Sequence, residues 1–218
     1  MEKGAFMTGK KRKFSMIEWL VLLIAGSVFV LSAWQLGKWW YAGQVSDRVT
    51  EKLVAEAVEI RQDAEKNASD PGIQSESPET AGDIAAGEAL PIIVDFEALQ
   101  KINPDIVAWI YSPDTVINYP IVQGTDNAYY LHRLVNGQKN ANGTLFMDCA
   151  NSGKLAGENT IIYGHHMKNG SMFASLEKYK KQAYYEEHPV LYLLTPEKSY
   201  RLIVFAGFVT ASDSDVYT

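Results

Sequence analysis

The longest apolar run in the chain lies near its N-terminus, from Ile17 to Leu36, broken by Glu18 near its start and Gln35 near its end. In a helix rising 1.5 Å per residue, about 20 such residues cross a hydrocarbon core of roughly 30 Å. Trp34, Trp39, Trp40 and Tyr41 gather at the far end, where an interfacial aromatic belt sits. Lys10, Lys11, Arg12 and Lys13 come first, which predicts a cytoplasmic N-terminus with the rest of the chain outside. The run is long, and bulky Trp39, Trp40 and Tyr41 stand where a small-x-small cleavage pair would be, so the pattern predicts a retained anchor rather than a signal peptide.

Periodicity then changes. From Asp47 to Lys66, Val49, Leu53, Val54, Ala57 and Ile60 recur near helical spacing among Glu51, Lys52, Glu56, Glu59 and Arg61. This predicts a polar helix, either a stalk or a weakly pairing coiled coil. Asn67 to Leu90 is rich in Ser, Pro, Gly, Ala, Glu and Asp and nearly lacks large apolar residues. Such a stretch buries too little surface to order itself and is expected to be a flexible tether.

A folded part is expected from Pro91. Asp95 is placed to cap a short helix, Phe96–Ile102, which Pro104 stops. Strands are predicted at Val107–Tyr111, Val116–Tyr119, Ile121–Gln123, Thr144–Met147, Thr160–Tyr163, Val190–Leu194 and Tyr200–Phe208. Asn142-Gly143 is a turn pair opening the fourth of these, and Thr195-Pro196-Glu197-Lys198 joins the last two as a hairpin. Asn127–Leu131 is expected to make a helical turn, and Ser171–Lys181 an amphipathic helix carrying Met172, Phe173, Leu176 and Tyr179. Many short strands with a few small helices predict a mainly β barrel or sandwich.

Composition narrows the chemistry. A formal charge of −6 provides no basic field for nucleic acid. One cysteine, Cys149, excludes an intrachain disulfide and a Cys/His zinc cluster. Adjacent His165 and His166 diverge on extended backbone, so with Asp148 they make a poor metal site. Asp213 and Asp215 resemble the start of a calcium loop but lack its glycine and distal glutamate, so a plain acidic turn is expected. Tyr129, Tyr130, Tyr184 and Tyr185 could line a peptide groove, though paired tyrosines at element edges more often pack in a core. Most informative is Asn159–Phe173, where a short strand runs into Gly164, His165 and His166. An imidazole at the mouth of a strand, beside a glycine that leaves room for another chain, is a common proton-transfer arrangement.

Five segments, in order, resemble the class B sortase family over nearly all of Leu99–Phe208. They are Asn103–Ile110, Thr115–Gln123, Asp126–Leu131, Gly143–Asp148 and Tyr163–Met167. The resemblance implies a sortase-like β-barrel and a cysteine transpeptidase on the outer face of a Gram-positive membrane. Such an enzyme cuts an Asn-Pro-x-Thr-x type sorting signal through a thioacyl intermediate and joins the threonine to a peptidoglycan precursor amine. No cofactor or metal is implied. By the Gly-His step, His165 takes the family's general acid/base position, with His166 as the fallback. The nucleophile cysteine and the oxyanion arginine have no counterpart: Cys149 lies upstream of the histidine, and Arg133 and Arg201 do not match the arginine position. The chain is therefore expected to be cut short before its nucleophile, its barrel incomplete at the C-terminus, and inactive as it stands. A catalytically dead, membrane-anchored extracellular binding module is the alternative. The implied organisation is a cytoplasmic basic tail (1–15), a transmembrane anchor (16–37), an extracellular stalk and linker (38–90) and a partial catalytic domain (91–218).

Overall fold

The computed structural model describes residues 15–61, 82–83, 90–151, 155 and 159–210. The basic run Lys10–Lys13, most of the tether and the Asp213/Asp215 pair lie outside them. The chain divides into two compact units, Met1–Tyr41 and Ala42–Thr218.

The described part of the first unit is helical and belongs to α1, Met16–Ala57. Ser15 opens it: its hydroxyl accepts from the Glu18 amide at 3.2 Å, and Glu18 Oε2 accepts from the Ser15 amide at 2.7 Å. This reciprocal capping box satisfies two end groups that an uncapped helix leaves bare. Ile17, Leu20, Leu23, Phe29, Val30 and Leu36 are all exposed. The helix is long and apolar enough to cross a membrane, with a mean hydropathy of 2.2 over its most apolar window.

The second unit takes in residues well ahead of Pro91. Leu53 and Ala57, from the last turns of α1, are buried in one core with Ile92, Leu99, Ile106, Trp109, Val122, Tyr130 and Phe146. The polar helix expected as far as Lys66 stops at Ala57. Val58–Ile60 is a strand, β1, paired antiparallel with β3, Ile92–Val94. Pairing between segments distant in sequence has overridden the helical spacing that Ile60 continued, and Val58 and Ile60 are both β-branched.

The remaining strands form one curled sheet of seven among the described residues. They are β2 (Gly82–Asp83), β4 (Ile106–Tyr111), β5 (Asn118–Val122), β6 (Leu145–Met147), β7 (Ile162–Tyr163), β8 (Val190–Leu194) and β9 (Ser199–Ile203). Their order is β2-β9-β8-β4-β5-β6-β7. All neighbours are antiparallel except β5 and β6, whose register is Ile121↔Leu145 and Val122↔Phe146. The two predicted strands around Pro120 are one, β5. Pro120 is tolerated one residue before the paired stretch with β6 begins. At the centre Trp109 is fully buried, and its indole N–H donates to Asn118 Oδ1 at 2.7 Å, so the largest core side chain carries no unmet polar group.

The helix α2, Phe96–Ile102, forms where expected: Asp95 Oδ1 accepts from the Ala98 amide at 2.9 Å. Two expectations need correction. Phe173–Lys180 is a 3-10 helix rather than an α-helix, and a separate short helix, α3 (Gln182–Glu187), follows it. Buried Met172, at φ 52°, and Gly170, at φ 81°, bend the entry so that the chain coils tightly from Phe173. The last strand ends at Ile203, not Phe208. Its partner β8 begins at Val190, and the final rung runs from the Val204 amide to the Pro189 carbonyl at 3.0 Å.

Candidate active site

Antiparallel pairing of β6 and β7 sets the site. The register is Phe146↔Tyr163 and Met147↔Ile162, so the chain leaving β7 passes Leu145 and then Thr144. Gly164 makes that passage possible. A Cβ there would lie 2.6 Å from Phe173 Cδ2 and closer still to a Leu145 methyl. Any side chain there would have to displace the Leu145 and Phe173 side chains packed against the strand exit.

His165 comes next, half-buried, with its Nε2 2.8 Å from the carbonyl oxygen of Leu131. A carbonyl only accepts, so Nε2 carries the hydrogen. In neutral imidazole the lone pair then sits on Nδ1. His166 points elsewhere: it is exposed, and its Nε2 lies 3.5 Å from Glu177 Oε2 on the 3-10 helix. Glu177 is held below the ordinary carboxylate range, first by its hydrogen bond from Lys180 and then by the nearby charges of Lys180 and His166. The two rings thus have separate partners.

Leu131 lies in a 3-10 turn, Tyr130–His132. Buried Tyr130 fixes this turn, its hydroxyl donating to Asp105 Oδ2 at 2.6 Å and accepting from Asn103 Nδ2 at 2.9 Å. Burial, then the hydrogen bond to Asp105, push the phenol up to about 12. The turn also brings His132 beside His165, with ring centroids 6.3 Å apart. Sequence reading did not single out Leu131 or His132. Leu131 stands 34 positions before His165, and a backbone acceptor leaves no mark in residue type.

Cys149 lies at the other end of the same strand pair. The Asp148 amide donates to the Ile161 carbonyl at 3.0 Å, so the register sets Cys149 level with Thr160. Five extended residues separate that level from His165, on the order of 15 Å. Cys149 is exposed, with its amide donating to Asn127 Oδ1 at 2.8 Å. Asp148 anchors this loop by accepting from the Ala150 amide, Tyr163 and Asn127, and those bonds hold its carboxyl below the usual range. Arg133 Nη1 donates to the Gly137 carbonyl at 3.0 Å and stacks on Tyr129, while Arg201 is exposed in β9. Of the four tyrosines, Tyr130 is core, Tyr129 is exposed, and Tyr184 and Tyr185 are half-buried within α3.

Comparison with known proteins falls on this same region. The Sortase domain family matches residues 110–218. Sortase B of Listeria monocytogenes is 34% identical over 194 residues, which cover 89% of this chain and 70% of that protein. Sortase B of Staphylococcus aureus is 41% identical over 117 residues, 54% of this chain and 48% of that one. A Staphylococcus aureus sortase B–substrate complex superposes with a TM-score of 0.53 at 40% identity, covering 55% of this chain and 56% of the other. The chain thus spans about half the length of the staphylococcal relatives.

Proposed function

Because this chain belongs to the sortase family, and within it to the class B sortases, a family of cysteine transpeptidases, we propose that it serves surface-protein anchoring with His165 as the general acid/base. The substrate is a sorting-signal peptide of the Asn-Pro-x-Thr-x type, and the acceptor is an amine of a peptidoglycan precursor. The relative solved with a substrate bound supports the peptide assignment. The apolar stretch of α1 serves as a single membrane anchor, with the cytoplasm on its N-terminal side and the folded unit outside.

The chemistry needs three groups. A thiolate attacks the threonine carbonyl and an oxyanion donor steadies the tetrahedral intermediate. An imidazolium gives its proton to the departing amine, leaving a thioacyl-enzyme. The neutral imidazole then takes a proton from the incoming amine as that amine displaces the sulfur. His165 fits the last role because its ring is oriented by the Leu131 carbonyl, and among the described residues Nδ1 has no hydrogen-bond partner. This is the observation that carries the reading. Proton transfer to a thiol requires a separation of about 3 Å, which Cys149 does not meet. Cys149 is therefore not assigned the role of the thiolate, and neither Arg133 nor Arg201 that of the oxyanion donor.

Two outcomes test this. The 218-residue polypeptide is expected not to cleave a quenched Asn-Pro-x-Thr-x peptide; turnover that disappears on Cys149→Ala would refute the assignment. Expressed from its whole reading frame, the protein should lose turnover with His165→Ala and keep part of it with His166→Ala. The reverse ranking would transfer the role to His166. The distance of Cys149 from His165 also favours a second reading, a binding module without catalysis. It predicts peptide binding by calorimetry and no turnover from the whole reading frame either.

A further inference from the structure

The Leu131 carbonyl is close-packed on both sides. One side faces His165 Nε2 at 2.8 Å. The other faces Gly143, which is buried and adopts φ 62°, a conformation that favours glycine. A Cβ at Gly143 would lie 2.6 Å from the Leu131 oxygen, 2.7 Å from the Tyr130 oxygen and 2.9 Å from the Leu131 carbonyl carbon. The neighbouring backbone locks this contact. The Thr144 amide donates to the Tyr130 carbonyl at 3.0 Å, the Asn140 amide donates to the His132 carbonyl at 3.0 Å, and the Thr144 hydroxyl donates to the Arg133 carbonyl at 2.9 Å. The turn therefore cannot retreat from position 143 without breaking several bonds.

We propose that the Leu131 carbonyl, seated against Gly143, is the acceptor that fixes the Nε2–H tautomer of His165, and that Gly143 is a positioning residue for proton transfer at Nδ1. The proposal rests on the assignment of His165 as acid/base. It adds which nitrogen works and which distant glycine keeps it so. An imidazole without this acceptor would spread over both tautomers and over more than one ring angle, and only a fraction would present a lone pair to the thiol. A methyl group at position 143 would displace the acceptor while leaving the histidine itself in place.

The test is a long-range proton–nitrogen correlation spectrum of the full 218-residue chain in detergent micelles, labelled at histidine nitrogens and recorded where imidazole is neutral. His165→Gln identifies the His165 signals. The expected result is a protonated Nε2 and an unprotonated Nδ1 for His165, shifting toward averaged nitrogen values in Gly143→Ala. Gly143→Asn separates the two effects of substitution, since asparagine tolerates left-handed backbone but still carries a Cβ; it should perturb the tautomer as alanine does. A His165 that is protonated at Nδ1, or averaged in the unaltered chain, overturns the proposal. So does an unchanged Nε2–H signature in either folded Gly143 variant. If neither variant folds, the tautomer of the unaltered chain decides whether Leu131 holds the ring. The readout does not depend on turnover. A fixed Nε2–H tautomer alongside full turnover of His165→Ala would remove the catalytic reading and leave this hydrogen bond standing.

Discussion

Tyr130 shows how one side chain can hold a site it does not enter. Its ring is buried in the core while its hydroxyl ties Asp105 and Asn103 together, and the next residue supplies the carbonyl against His165. Tyr130→Phe should cost about 1–2 kcal/mol in urea unfolding, because Asp105 loses a donor while Asn103 keeps its bond to the Val135 carbonyl. The raised phenol also predicts a pH dependence. The fold favours the neutral form, so its contribution is complete below the ordinary value of 10.0 and is lost as pH rises toward about 12. Over that window the unfolded chain gives up the proton first and stability falls. The phenylalanine variant should show a shallower fall in alkaline denaturation, the remainder coming from the other phenols that burial raises, Tyr119, Tyr179 and Tyr184.

Among the elements, those with a local cause were legible in the sequence. Asp95 caps α2 because an aspartate side chain can reach an amide three residues on. Asn142-Gly143 opened a strand because glycine takes positive φ without penalty. The Gly-His step at 164–165 pointed to a close approach, and Leu145 and Phe173 fill the space beside that glycine. Elements caused by a distant partner were not legible. Val58–Ile60 is a strand because Ile92–Val94 lies beside it, and β9 stops where β8 does. The last turns of α1 likewise read as a stalk or a weakly pairing coiled coil, because Leu53 and Ala57 are sparse among charged neighbours and their burial depends on Leu99 and Ile92. Leu53→Ala should lower the stability of the folded unit by about 2–5 kcal/mol, measured by denaturant unfolding followed through tryptophan fluorescence. A freely solvated stalk would show almost no change.

For the whole molecule, the exposed apolar length of α1 predicts behaviour that a buried helix would not show. The protein should stay with membranes through high-salt and alkaline washes and be released by detergent. Protease added outside intact spheroplasts should digest the folded unit and leave the basic N-terminal segment protected. Digestion only after lysis would reverse the proposed orientation. Between β5 and β6 the chain follows a different logic from the rest of the sheet. Those neighbours run in the same direction, so residues 123–144 must return along the full length of the strands before pairing can resume. The carbonyl that steadies His165 rides on this return path rather than on a strand. Insertions or trims along the path are therefore expected to move the His165 ring while the sheet hydrogen bonds stay intact.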